Sequence, residues 1–294
     1  MNRKCIVVLG MHRSGTSAIT GFLCNTGISI GKSIMPPKPD NPAGFFENLK
    51  IQELNDDILS SLGSNWDDIY PLSDDWLDST HLNSYYQQAN KLITEEFEND
   101  ALFIIKDPRL SLLLPFWSKV LERLNISIVV TFVLRNPFEI ASSLEYRNKF
   151  ELNKSLHLIA KYWKHGESCS RANKRVFIDF EGFVDQPETT KEILKSNFNL
   201  PFKESKRAEF KINKSLKHFN FEDDIEKSKS DKELSSLLIE IYQNLKQLGN
   251  ADTQNFEENS TLDKLFQNHL KILPSKVGFH SKFSLLIKKL GLSK

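Results

Sequence analysis

The chain has 294 residues, with 39 Lys+Arg against 38 Asp+Glu (a formal net charge of +1), 39% hydrophobic residues and 26% charged residues. That balance excludes a broad polyanion-coating face for nucleic acid or anionic membrane, which needs a strong basic excess. The ordinary apolar content excludes wholesale disorder, and the length suits one large domain, or one domain with an appendage.

Residues 5–9 (CIVVL) predict a first strand. It runs straight into Gly10-Met11-His12-Arg13-Ser14-Gly15-Thr16-Ser17 and a helix over 18–25. Ile51, Leu54, Ile58, Leu59 and Leu62 recur at helical spacing, as do Leu82, Tyr85, Tyr86, Ala89, Ile93 and Phe97. Further apolar, β-branched runs at 101–105 (ALFII), 127–134 (SIVVTFVL) and 175–180 (RVFIDF) predict strands, with helices over 110–124, 137–149, 154–173 and 187–198. None of the strand runs alternates cleanly, which suits strands buried on both faces of a parallel sheet. Strands alternating with helices predict an α/β, three-layer, P-loop-like fold with a central parallel sheet. Beyond about residue 200 the strands stop. Residues 231–248 predict an amphipathic helix, 250–261 a polar linker, and the stretch from Lys271 to Lys294 holds six lysines and no acid. The expected division is a domain over 1–250 and a linker with a basic tail over 251–294. The tail's 281–292 segment reads either as a basic amphipathic helix for peripheral contact with a membrane surface or partner, or as a helix packing on the domain.

Cys5, Cys24 and Cys169 are odd in number and match no zinc or CxxC spacing. A reducing compartment follows, with the cysteines as small buried residues and no metal site. No secretory leader precedes the first apolar run, and no apolar stretch approaches the ~20 residues that span a bilayer. A cytoplasmic location is expected.

The first loop has P-loop spacing, G-x-x-x-x-G-K-[ST], with Thr16 where the lysine should stand. Backbone N–H groups at such a loop and helix start hold an anion. Here the positive charge has moved to Arg13. The second strand ends in Lys106-Asp107-Pro108-Arg109, and the third in Arg135-Asn136-Pro137 ahead of a helix carrying Ser142 and Ser143. Ligands of open parallel sheets bind beyond the strands' carboxyl ends, so these cations are expected to converge on one multiply charged anion.

The pair GMHRSGTS and VLRNPFEIASSLEYR resembles the nucleotide signature of sulfotransferases that use 3′-phosphoadenylyl sulfate (PAPS). The KDPR strand end and the NPAGFFEN segment are similar to the bacterial-type branch, whose members often modify saccharides. The likeness covers roughly residues 4–200. It implies sulfuryl transfer from PAPS, without a metal, to a hydroxyl or amine of an acceptor, expected to be a saccharide or glycoconjugate. By position it puts the 5′-phosphosulfate on Arg13, Ser14, Gly15, Thr16 and Ser17, the 3′-phosphate on Arg135 and Ser143, and Lys106 near the leaving group. The later VFIDFEGFVDQPETT stretch is similar to the family's strand and following helix. Two departures stand out: Pro108 replaces the histidine of cytosolic members, and Ala18 replaces their adenine-stacking tryptophan. The resemblance therefore implies Glu47, in the Gly44–Asn48 segment, as the base, with Asp107 competing. With Lys106 and Arg13 it forms the expected catalytic set. Glu47 also reads as a carboxylate favoured by a helix N-terminus, and His12 as a structural member of the loop. The alternatives are a kinase-like nucleotide enzyme with a degenerate Walker A loop and a non-catalytic saccharide-binding relative. The aromatics Trp66, Tyr70, Trp76, Tyr85 and Tyr86 read either as sugar platforms or as core.

Overall fold

The computed structural model describes residues 3–38, 41, 43–200, 231–250 and 259–275. The candidate amphipathic segment at 281–292 lies outside the described residues.

Four strands form one parallel sheet in the order β2-β1-β3-β4: β1 (Arg3–Leu9), β2 (Leu102–Lys106), β3 (Ile126–Leu134) and β4 (Lys174–Asp179). The expected runs are all present, each displaced by a residue or two. At the fourth the displacement has a cause. The Asp179 side chain accepts from Gly182 N at 3.3 Å and caps the following helix, so Phe180 leaves the strand and opens that helix.

Both faces of the sheet are covered, which is why its strands lack polar alternation. Cys5, Val7 and Leu9 of β1 face a large core built with α3 (Leu82–Phe97), α4 (Leu110–Arg123) and α6 (Leu152–Ser170). Ile6 and Val8 face a smaller core with α1 (Thr16–Asn25), α7 (Phe180–Asp185) and α8 (Pro187–Phe198). The result is an α/β fold of three layers with a central parallel sheet, as expected. Helix α2 (Leu49–Ser61) packs on α3, and α5 (Pro137–Asn148) on α6. Of the five aromatics weighed as sugar platforms, Trp76 and Tyr86 are buried in the large core. Tyr70 and Tyr85 pack against it, so core packing accounts for four.

Among the described residues two further helices follow. Helix α9 (Lys232–Asn250) lies against β4 and α6, and α10 (Ser260–Lys271) against α9 and α6. Ser260 falls within the stretch read as polar linker. The cause is Asn259, whose side chain accepts from Leu262 N at 3.1 Å and starts the helix, letting Leu262, Leu265 and Phe266 enter the large core.

Strand order reverses at β1, with β2 on one side and β3 on the other, so the loops beyond the carboxyl ends of these three strands frame a crevice. The register aligns those ends: Val8 pairs with Lys106, and Leu9 with Phe132.

Candidate functional site

The crevice is an open cavity of ≈ 690 Å³. Its floor is the loop after β1. Gly10 (φ +146°) and Gly15 (φ +95°) turn the chain there. A Cβ on Gly15 would stand 2.1 Å from the Phe180 ring, so neither the backbone angle nor the packing admits a side chain. Arg13 also lies in the left-handed region at φ 69°, a strained placement for a residue with a Cβ. Ser111 Oγ braces the loop from α4, accepting from Gly10 N at 3.0 Å. No side chain caps α1, whose first residues Thr16 and Ser17 line the cavity together with Gly15. Uncapped amides at a helix start are donors for an anion. Ser14 Oγ is buried beneath the loop with no hydrogen-bond partner.

The predicted cations do converge. Arg13 Nε donates to Ser143 Oγ at 2.7 Å, joining the first loop to α5. Arg135 Nη1 donates to the Arg13 carbonyl at 3.1 Å, and its Nε to Glu139 Oε2 at 2.6 Å, with the guanidinium 5.0 Å above the Phe180 ring. Lys106, only 3% exposed, closes the opposite side. Its Nζ donates to Ser17 Oγ and the Phe45 carbonyl at 3.0 Å each and to Glu47 Oε1 at 2.5 Å. Three bonds use all three ammonium hydrogens. Every predicted site residue except Ser14 and the competing base Asp107, both buried, lines this cavity.

Glu47 is not a helix N-terminal carboxylate. Helix α2 starts at Leu49, and its cap is Asn48, whose Oδ1 accepts from Lys50 N and Ile51 N. Glu47 instead pairs with Lys106 in a setting where it is 6% exposed. Burial pushes its carboxyl above the ordinary range, and the Lys106 ammonium opposes that rise. Asp107, fully buried, receives Arg109 N at 2.8 Å and Arg109 Nη1 at 3.1 Å. Arg109 is thus held by Asp107 and, through Nε at 2.5 Å, by Asp56. It lines the cavity already neutralised. His12 packs against Trp66 (ring centroids 4.5 Å apart) and Tyr162 (5.9 Å). Burial, then Arg109, Arg147, Lys106 and Arg13, hold its imidazole well below the usual histidine range.

No family model and no curated protein matches the chain. Among solved structures it is similar to sulfotransferase STF1 from Mycobacterium tuberculosis H37Rv, at 15% identity over 70% of each chain (TM-score 0.40). It is also similar to the sulfotransferase domain of the curacin biosynthetic pathway, at 14% identity over 92% of this chain and 99% of that one (TM-score 0.42). A third is the sulfotransferase domain of the Synechococcus PCC 7002 olefin synthase, at 14% identity over 93% and 97% (TM-score 0.43).

Sequence reasoning passed over several side chains that complete the site. Glu139, four residues after Arg135 on α5, is an i,i+4 partner that spacing alone can find. Phe180 and Glu96 carry no such signal. Glu96, 3% exposed on α3, accepts from Lys32 N (2.8 Å), Ser33 N (2.7 Å), Asn48 Nδ2 (2.7 Å) and Lys50 Nζ (2.8 Å). It thereby ties the 32–33 turn to the start of α2. Met35 N then donates to the Glu47 carbonyl at 2.8 Å, so the segment carrying Glu47 is set from behind by one carboxylate. Among the described residues no group of three or more His, Cys, Asp or Glu side chains is placed to hold a metal ion, and no helix is long and apolar enough to cross a membrane.

Proposed function

We propose that the chain is a PAPS-dependent sulfotransferase whose acceptor is a hydroxyl or amine of a saccharide or glycoconjugate. One observation carries the reading: a P-loop-like turn without its lysine shares a cavity with Arg13, Lys106 and Arg135, supplied by three strand ends, and with Glu47, which comes from the segment before α2 and pairs with Lys106. The donor set suits the cosubstrate. Uncapped amides of Gly15, Thr16 and Ser17, with the Ser14 hydroxyl beneath, offer neutral donors for a phosphosulfate, while Arg135 and Ser143 offer a separate cation and hydroxyl for a 3′-phosphate. PAPS supplies an activated sulfuryl group on phosphate.

The chain's own residues supply position, charge and a proton acceptor. Arg13 and Lys106 flank the loop and lower the cost of negative charge that builds there. Glu47 accepts the proton of the attacking hydroxyl at Oε1 or Oε2. Its contact with Lys106 keeps the carboxylate ionised and aimed while burial raises its basicity. Asp107 is the weaker candidate for base, because both its oxygens are taken by Arg109.

The test is a thermal-stability titration with adenosine 3′,5′-bisphosphate, ADP and ATP, with and without Mg²⁺. A metal-independent preference for the bisphosphate is expected. A Mg²⁺-dependent preference for ATP rejects the reading in favour of a kinase-like enzyme. Arg135→Ala is expected to weaken bisphosphate binding by about tenfold or more, the worth of one charge-assisted contact, measured by calorimetry.

A further inference from the structure

One side chain on the cavity wall has its hydrogen-bonding direction dictated by charges behind it. Gln52, one turn beyond the Asn48 cap of α2, is half-buried and lines the cavity. Its Nε2 donates to Asp56 Oδ2, one turn further along the same helix. Asp56 Oδ1 accepts from Arg109 Nε at 2.5 Å, and Arg109 Nη1 donates to Asp107 Oδ1 at 3.1 Å. A carboxylate only accepts, so turning the amide over would set its carbonyl against Asp56. Asp56 is itself held by the buried Arg109. The amide is therefore locked with NH₂ toward the protein, and the carbonyl Oε1 is the end left for a ligand; no donor among the described residues meets it. The cavity wall then carries two acceptors of different kinds near the start of α2: the Glu47 carboxylate, engaged with Lys106, and the neutral Gln52 carbonyl.

We propose that Gln52 Oε1 is an acceptor-recognition group. It takes a hydrogen bond from a second hydroxyl or amine of the molecule whose reacting group faces Glu47. The site thereby selects ring acceptors with several donors, polyols and sugars, over rings with a single hydroxyl. Asp56, Arg109 and Asp107 are positioning residues that fix the sense of the amide. A locked carbonyl discriminates because a ligand lacking the second donor leaves it unpaired. The assignment rests on the sulfuryl-transfer reading for the reacting hydroxyl alone; the amide lock stands independently of it.

The experiment is saturation-transfer NMR on the full chain, with and without adenosine 3′,5′-bisphosphate. The two probes are myo-inositol, with a hydroxyl on every ring carbon, and cyclohexanol, the same ring with one. Binding of inositol at least tenfold tighter than cyclohexanol is expected. Gln52→Met should remove that preference without moving the melting temperature, and Asp56→Asn, which frees the amide to turn, should reduce it. Equal binding of the two probes, no binding of inositol, or an unchanged preference in Gln52→Met overturns the proposal. If Gln52→Met does not fold, the wild-type comparison and Asp56→Asn still decide it. Loss of bisphosphate binding with the inositol preference intact would remove the nucleotide reading and leave the Gln52 subsite standing.

Discussion

At the scale of single residues, Glu47 and Lys106 hold opposite charges at 6% and 3% exposure, with 2.5 Å between them. Solvent screens neither charge, so the Lys106 ammonium acts strongly on the Glu47 carboxyl and opposes the rise that burial causes. Glu47→Gln keeps the size and a hydrogen-bonding end but removes the carboxylate proposed as the base. A loss of turnover of about 10²–10⁴-fold is expected, with bisphosphate affinity nearly unchanged, read from initial rates and calorimetry together. The pH profile carries a second expectation. A base works only when ionised, so the rate should rise with pH through the Glu47 pKa, which burial lifts above the ordinary carboxylate range. Lys106→Met removes the cation that opposes the lift and should move that limb further up, whatever it does to the maximum rate. A limb that stays at an ordinary carboxylate value in both proteins would transfer the role to another group.

At the scale of elements, α3 reaches the site through one carboxylate. Burial alone would raise the Glu96 pKa. Hydrogen bonds from Lys50, Ser33 and Asn48 overcome that and hold it down to about 2. A depressed carboxyl contributes stability that is present above its unfolded pKa and lost as pH falls through the folded one. Here the window runs from about 4.5 down to about 2. Glu96→Gln is expected to cost roughly 1–3 kcal/mol at neutral pH, since the charge is lost and one of the two acceptor oxygens becomes an NH₂ facing other donors. The gap between variant and wild type should close as pH drops through that window, followed by chemical denaturation. Because Glu96 holds Asn48 and Ser33, and the neighbouring backbone holds Glu47, on the proposed function the variant should also lower kcat more than it raises the KM for the cosubstrate.

At the scale of the whole molecule, the C-terminal helices close the large core, and a histidine pair sits in the seam. His157 Nδ1 of α6 and His269 Nε2 of α10 are 3.0 Å apart, a bond that requires at least one neutral ring. Burial, then His157 and Lys164, lower His269 to about 3, and burial also lowers His157 against the pull of Asp231. A histidine whose folded pKa is depressed binds fewer protons than the unfolded chain between the two values. Stability is therefore lost as pH falls from about 6.5 toward about 3. Denaturation at pH 7 and pH 4.5 should show a fall that His269→Leu makes shallower. An equal slope in both proteins would show that the pair is not the titrating element.

Much of this was legible in the chain because it depends on neighbours in sequence. Continuous β-branched runs mark strands buried on both faces, helical spacing marks the helices, and a Gly-Ser loop between strand and helix marks the turn that floors the cavity. The positions of Arg13, Lys106 and Arg135 at strand ends were legible because a parallel sheet puts all such ends on one side. The sequence by itself therefore determined the layered α/β fold and the side of it that carries charge. Tertiary structure decided the partners. Lys106 meets Glu47 across 59 positions, Glu96 meets Asn48 across 48, and Arg109 meets Asp56 across 53. No local pattern encodes such pairs, because their energy exists only after the sheet has brought distant segments into a low-dielectric interior. The same reason gives Arg109 its partners Asp56 and Asp107, of which only Asp107 is near it in sequence.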